Sequence, residues 1–356
     1  MGHSTDARGL RFGARGTPAA RSFAAHVLRG HAQVTFLPSA AAGAVFCAAL
    51  FAAGWEYGLY GLAGTAVGTA TARLLGAPGD RVSSGLEGFN ACLTALCFAV
   101  FLGAGHLSTA ALALAGCVVV TVVTAAAVNV LAVWGLPSLT LPYCLLASAT
   151  TIAAPGFERV WHHGDALAAL TRAASGPTSL GPDDLARAFF AGFAQIFFMP
   201  QWYVGAVLLV GLFVASRRAG AVACLGSAVG IASAWALGAP AAQIADGTMG
   251  YNSVLVALAL CGVFLPARGA TLAYAIVGAA TATAVGAAMS ALLAPSGGHT
   301  FTWPFVLTTL AFLAATKSFS RLRTTAPAPS EVTVPEPDVP FASGPVSGNA
   351  PAPQAP

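Results

Sequence analysis

Leu136-Pro137-Ser138-Leu139-Thr140-Leu141-Pro142-Tyr143 is the stretch on which the fold turns. It sets two prolines and a threonine at the mouth of an apolar run, residues 141–153. Proline lacks the amide donor and clashes with the preceding helical turn. In hydrocarbon, irregular backbone survives only where protein or a water-filled cavity covers the freed polar groups. The stretch therefore predicts a pore or a packed junction, with the Thr140 hydroxyl facing it. Thr300-Phe301-Thr302-Trp303-Pro304-Phe305 repeats the pattern, with Thr302 and Pro304 matching Thr140 and Pro142 at an offset of 162 in the numbering.

The offset holds elsewhere. Gly30-His31-Ala32-Gln33-Val34-Thr35-Phe36-Leu37-Pro38 returns at the same offset as Gly192-Phe193-Ala194-Gln195-Ile196-Phe197-Phe198-Met199-Pro200. Gly88-Phe89-Asn90 returns as Gly250-Tyr251-Asn252, again in that register. One matched tripeptide in an alanine- and glycine-rich chain means little, but three motifs in one register mark an internal duplication. The expected halves are residues 18–155 and 183–320. A linker at 156–182 joins them, with polar tails at 1–17 and 321–356.

Of 356 residues, 57% are hydrophobic and 8% are charged. Soluble domains carry about 25% charged residues. So few charges cannot cover a water-facing surface, and the chain reads as an all-α integral membrane protein. Alternating strands of a membrane barrel are absent from the pattern. A formal net charge of +4 with no basic patch interleaved with aromatics gives no sign of nucleic-acid binding. The seven cysteines sit in apolar runs without metal-ligand spacing, which implies no metal and no cofactor.

Residues 18–36 are interrupted by Arg21, His26, Arg29 and His31, so a short tilted or re-entrant helix ending near Gln33 is expected there. Candidate spans follow at about 39–55, 58–76, 88–104, 107–134 and 139–155. The second half repeats the plan: a short helix near 183–198, then spans near 202–216, 219–239, 250–266, 269–294 and 301–319. With the basic N-terminus in the cytoplasm, five crossings per half put Arg73, Arg81, Arg217, Arg218 and Arg268 on the cytoplasmic side, as the positive-inside rule asks. Both termini are then cytoplasmic and the linker is not. An odd number of crossings inserts the second half upside down, which makes two inverted-topology repeats with the functional path at their interface.

The repeated polar residues are uncharged. Gln33 and Gln195 each offer an amide oxygen, Thr140 and Thr302 a hydroxyl, and Asn90 and Asn252 open apolar spans after glycines. No Asp, Glu, Lys or Arg falls in the interior of a span, so ion coupling finds no carrier. A path lined this way suits a small neutral solute that donates hydrogen bonds. Phe36, Phe89, Phe198 and Tyr251 flank the same motifs, and their rings are suited to a flat slot. For each residue a purely structural role competes: a threonine bonding its own helix, an asparagine capping one. Repetition beside broken helices favours the functional role for Thr140, Thr302, Gln33 and Gln195, and leaves Asn90 and Asn252 evenly balanced, as supports of the path. The two threonines, related by the repeat, are expected to converge, each donating its proton to a carbonyl freed by Pro142 or Pro304.

These motifs resemble those of urea transporters. Gly88-Phe89-Asn90 and Gly250-Tyr251-Asn252 resemble that family's paired Gly-Phe-Asn motifs. Leu136 to Tyr143 resembles its Leu-Pro-x-x-Thr-x-Pro-Phe signature, and Gln33-Val34-Thr35-Phe36 its Gln-Val-x-Phe segment. The resemblance covers nearly all of residues 18–320. It implies a homotrimer in the cell membrane, one pore per protomer, and passive, selective passage of urea without enzymatic turnover. Gln33 and Gln195 would belong to two ladders of acceptors, with Thr140 and Thr302 in the constriction between them. Phe36, Phe89, Phe198 and Tyr251, beside Val34 and Ile196, would form the slots. The second signature departs: Gly298-His299 stands where Leu-Pro is expected, and Tyr251 replaces a phenylalanine. These departures leave other small amides open as substrates.

Three rivals fit less well. A glycerol-type channel needs Asn-Pro-Ala boxes, and an ammonia channel needs paired pore histidines; neither pattern occurs. A membrane-embedded enzyme has only His162, His163 and Asp165 to draw on, in a polar linker. A structural scaffold leaves the repetition of polar residues unexplained.

Overall fold

The computed structural model describes residues 18–162, 167 and 176–322. The N-terminal tail, the C-terminal tail beyond residue 322 and much of the linker, His163 and Asp165 included, lie outside them. The described residues form fourteen α-helices and no strand: α1 (Pro18–Gln33), α2 (Ala40–Ala53), α3 (Trp55–Leu74), α4 (Gly79–Ser84), α5 (Phe89–Leu102), α6 (Leu107–Ala132), α7 (Leu141–Ala153), α8 (Pro182–Ala194), α9 (Trp202–Ala215), α10 (Arg217–Ala236), α11 (Ala241–Ala245), α12 (Tyr251–Leu258), α13 (Gly269–Leu293) and α14 (Trp303–Ala315). The expected short helix ends at Gln33.

Every residue of α5 and of α12 is buried, and beyond a few polar residues near their starts both helices are apolar on all sides. Helices of that kind belong inside a protein or in lipid. Here they lie inside, wrapped by α3, α6 and α7 on one hand and by α10, α13 and α14 on the other. The outer helices α6 and α13 instead expose leucine and valine, for example Leu114, Val118, Val122 and Val277. An apolar exterior around a packed interior is the arrangement a bilayer stabilises.

Most helices are shorter than the expected spans, although α3 has 20 residues. Three are long and apolar enough to cross a bilayer by themselves: Leu107–Ala132, Arg217–Ala236 and Gly269–Ser296. At 14 residues each, α2 and α5 reach about 21 Å, short of a hydrocarbon core of about 30 Å. The segment Pro182–Phe197 and the helix Trp202–Ala215 form a pair bent by 78°. The run at 250–266 is interrupted after α12 by non-helical backbone at Cys261 and Gly262. There the left-handed Gly262, with φ of 111°, divides what hydropathy alone reads as continuous.

Local geometry recurs at the sequence offset. The short helices α4 and α11 begin at equivalent positions of the two halves, Gly79 and Ala241. They were not foreseen, because Pro78-Gly79-Asp80-Arg81 reads as a loop. Phe36 and Phe198 both have φ of 65°. A Cβ on Gly43 would stand 1.7 Å from the Leu28 carbonyl oxygen, and one on Gly205 1.8 Å from that of Phe190. At these two points α1 lies directly on α2, and α8 on α9, with no room for a side chain. The halves meet chiefly where α2 packs against α9, with Phe46 on Phe197 at 5.8 Å, and where α7 meets α14.

Candidate functional site

Thr140 and Thr302 are the residues immediately before α7 and α14. Pro142 and Pro304 lie in the first turn, where a helix needs no amide donor; they open these helices instead of breaking them. Leu139 and Phe301, just before the threonines, adopt left-handed φ of 49° and 43°, an uncommon conformation for a side chain of that bulk. Both turns are held by asparagine. The Asn90 amide donates to the Leu139 carbonyl at 3.4 Å and to Thr124 Oγ1 at 3.3 Å. The Asn252 amide donates to the Phe301 carbonyl at 3.3 Å, and its oxygen accepts the Phe305 N–H at 3.1 Å.

The two threonine hydroxyls meet, Oγ1 to Oγ1, at 2.6 Å, and both side chains are buried. Convergence was expected; the partner was not. Each hydroxyl was expected to give its proton to a freed carbonyl, but with the prolines in the first turn each finds the other across the junction. Cys144 joins them, its Sγ 3.1 Å from Thr302 Oγ1.

Gln33 closes α1, and Gln195 follows α8. The Gln33 amide donates to the Ser84 carbonyl at 2.9 Å, at the end of α4. The Gln195 amide donates to the Asp246 carbonyl at 3.0 Å, just after α11. In both cases the nitrogen is committed to backbone, which leaves the oxygen as the acceptor. Val34 and Ile196, next in sequence, are buried.

Phe36 packs against Phe264 at 5.8 Å and Phe305 at 5.9 Å. Phe198 packs against Tyr143 at 5.9 Å, Phe101 at 6.1 Å and Phe301 at 6.4 Å. Each left-handed phenylalanine thus rests on the aromatic residue that follows the proline of the opposite half, Phe305 or Tyr143. Such edge and tilted contacts add about 0.5–1.5 kcal/mol beyond burial, which helps to hold the strained backbone. Sequence reasoning quoted Tyr143 and Phe305 only as motif letters; their shared offset was the available signal. Phe89 and Tyr251 are buried at the starts of α5 and α12 and make no ring contact with Phe36 or Phe198. The Tyr251 hydroxyl donates to the Phe301 carbonyl, so the departure from phenylalanine braces the turn before Thr302.

His299 stands where the first half has Pro137. Its Nδ1 accepts the Phe301 N–H at 3.0 Å, and its ring lies 4.9 Å from those of Phe101 and Phe301. A side-chain acceptor does here what the pyrrolidine ring does at Pro137: it fixes the turn ahead of the threonine. In the linker, His162 stacks on His106 at 3.6 Å and bonds Ser108 at 2.8 Å. An open cleft of about 560 Å³ lies beside the Gln195 anchor, with Asp184, Arg187, Trp202 and Asp246 on its walls.

This is a membrane protein, all-helical over its described residues, in which two matched, uncharged threonines meet where the two halves touch. It belongs to the urea transporter family, whose description "UT: Urea transporter" matches residues 24–317. The chain is 30% identical over 305 residues to urea transporter 1 of Ovis aries, which covers 84% of this chain and 78% of that protein. It is 28% identical over 302 residues to urea transporter 1 of Rattus norvegicus, with the same coverage.

Proposed function

We propose that the chain conducts urea passively across the cell membrane, through a path at the interface of its two halves. The observation that carries this reading is the Thr140–Thr302 contact, which joins equivalent positions of the repeat. Urea is planar and donates four N–H groups. The Gln33 and Gln195 oxygens supply acceptors at two levels, and the threonine pair supplies hydroxyls between them. Phe36 and Phe198, beside Val34 and Ile196, line the approaches, with Phe89 and Tyr251 behind them. Asn90 and Asn252 hold the turns. No charged side chain takes part, so no ion is coupled. The halves, 18–155 and 183–320, are inverted repeats of five crossings and one short helix each. Both termini are cytoplasmic, and the protein assembles as a homotrimer. The departures at His299 and Tyr251 keep other short amides open as further solutes.

Purified protein in liposomes tests this by stopped-flow light scattering. Urea flux should exceed that of empty liposomes, persist with a protonophore present, and exceed flux of acetamide and glycerol. Flux no greater than in empty liposomes would overturn the reading, and release of ammonia from urea would replace it with an enzyme.

The slots make a second expected result. Phe36→Ala or Phe198→Ala should lower the urea-to-glycerol flux ratio by about two- to tenfold, the worth of an aromatic contact. An unchanged ratio in both variants, with the fold intact by circular dichroism, removes these rings from the path.

A further inference from the structure

We infer that Cys144 sets the direction of the hydrogen-bond chain at the constriction, so that Thr140 presents its hydroxyl proton to the carbonyl oxygen of the passing solute. The inference rests on the reading of the threonine pair as the constriction. Cys144 is one helical turn beyond Thr140, and its amide donates to the Thr140 carbonyl at 2.9 Å. Its thiol crosses to the other half, 3.1 Å from Thr302 Oγ1, which is in turn 2.6 Å from Thr140 Oγ1. Three X–H groups serve two contacts, so one proton is left over. A thiol is weak both as donor and as acceptor, but the Thr302 hydroxyl proton gains more from the Thr140 oxygen than from sulfur, so the thiol donates to Thr302. Thr302 then donates to Thr140, because a head-to-tail order polarises both bonds in the same sense. The Thr140 proton is the one that remains.

The other half cannot set the opposite direction, because Val306 occupies the position equivalent to Cys144 in the register of the repeat. A second asymmetry points the same way. Asn90 Oδ1 is buried and receives no hydrogen bond from the described residues, whereas Asn252 Oδ1 is taken by the Phe305 N–H. The spare donor and the unpartnered acceptor therefore both belong to the first half, and Asn90 is tied to the residue before Thr140 through the Leu139 carbonyl. A solute with a carbonyl oxygen, such as urea, accepts the Thr140 proton. Thiourea has the same planar shape and N–H groups, but its sulfur is a poor acceptor.

The test compares Cys144→Ala with Cys144→Ser, a pair that differs only by the hydroxyl. Urea and thiourea fluxes are measured in proteoliposomes of each. Cys144→Ala should lower the urea-to-thiourea ratio by about three- to tenfold, the worth of one neutral hydrogen bond. Cys144→Ser should return the ratio to within about twofold of the original, since the hydroxyl again donates. An unchanged ratio in Cys144→Ala, or an equal fall in both variants, overturns the inference and leaves Cys144 as packing. If Cys144→Ala fails to fold, Cys144→Val, which copies the Val306 side, takes its place. Thr140→Val separates the two levels. Undiminished urea flux there removes the constriction itself; slowed flux together with an unchanged Cys144→Ala ratio removes only the direction of the chain.

Discussion

Thr140→Val and Thr302→Val should each slow urea flux about five- to thirty-fold, a barrier rise of about 1–2 kcal/mol. A solute passing the junction must exchange the Thr140–Thr302 bond of 2.6 Å for bonds to itself. With both hydroxyls present the exchange is close to neutral, since the solute carbonyl takes the spare Thr140 proton and the hydroxyl oxygens accept its N–H groups. With one removed, a solute N–H or the surviving hydroxyl is left unpaired in a buried site, at about 1–3 kcal/mol. The direct contact adds a quantitative expectation. Because the two hydroxyls serve each other, the double variant should be slower than either single variant, yet slower by less than the product of the two effects. Stopped-flow urea uptake by the four proteins gives the coupling directly. Unaltered flux in the folded double variant would falsify the constriction, and strictly multiplicative effects would show two independent threonines.

The duplication was legible because it leaves matched residues at a fixed spacing, and spacing survives in a sequence of any composition. Thr140 and Thr302 could be paired by arithmetic, and Gln33 was read as the end of a short helix because charged residues upstream forbid a span. Helix length was less legible. In a chain this apolar no periodicity fixes where a helix stops, so α2 and α5, at 14 residues each, are shorter than the spans expected at 39–55 and 88–104. Their ends are set by backbone conformation at Gly54, extended with φ of 171°, and Gly103, left-handed with φ of 93°, which hydropathy does not register. Partners across the junction were hidden for a different reason. Cys144 meets Thr302, and Tyr143 meets Phe198, only after α7 and α14 have been brought together by packing. His299 shows that a departure from a pattern can be a replacement: an imidazole nitrogen fixes the turn that a proline fixes in the other half.

Gly43→Ala and Gly205→Ala should each abolish most properly assembled protein, and the double variant all of it. The added methyl would stand 1.7 Å from the Leu28 carbonyl oxygen in one case and 1.8 Å from that of Phe190 in the other. These neighbours are backbone, so no rotamer change relieves the clash; α1 must move off α2, or α8 off α9, by roughly 1 Å or more. Overpacking in a well-filled core costs about 1–3 kcal/mol where side chains can yield, and more where they cannot. Hydrocarbon offers the displaced helix no gain that favours returning, because helix association in lipid rests on close packing. The loss also reaches the path. The displaced helices end at Gln33 and Ala194, beside the amide acceptors and the left-handed phenylalanines, and α2 and α9 are the main junction of the halves. Gly79→Ala and Gly269→Ala are the controls, since a carbon added there meets nothing within 4 Å. Size-exclusion profiles in detergent and thermal unfolding should separate the two pairs, with the controls near the unaltered protein. Normal profiles and flux for Gly43→Ala would mean that α1 and α2 are not in contact at Leu28, and the placement of Gln33 that depends on that contact would fall with it.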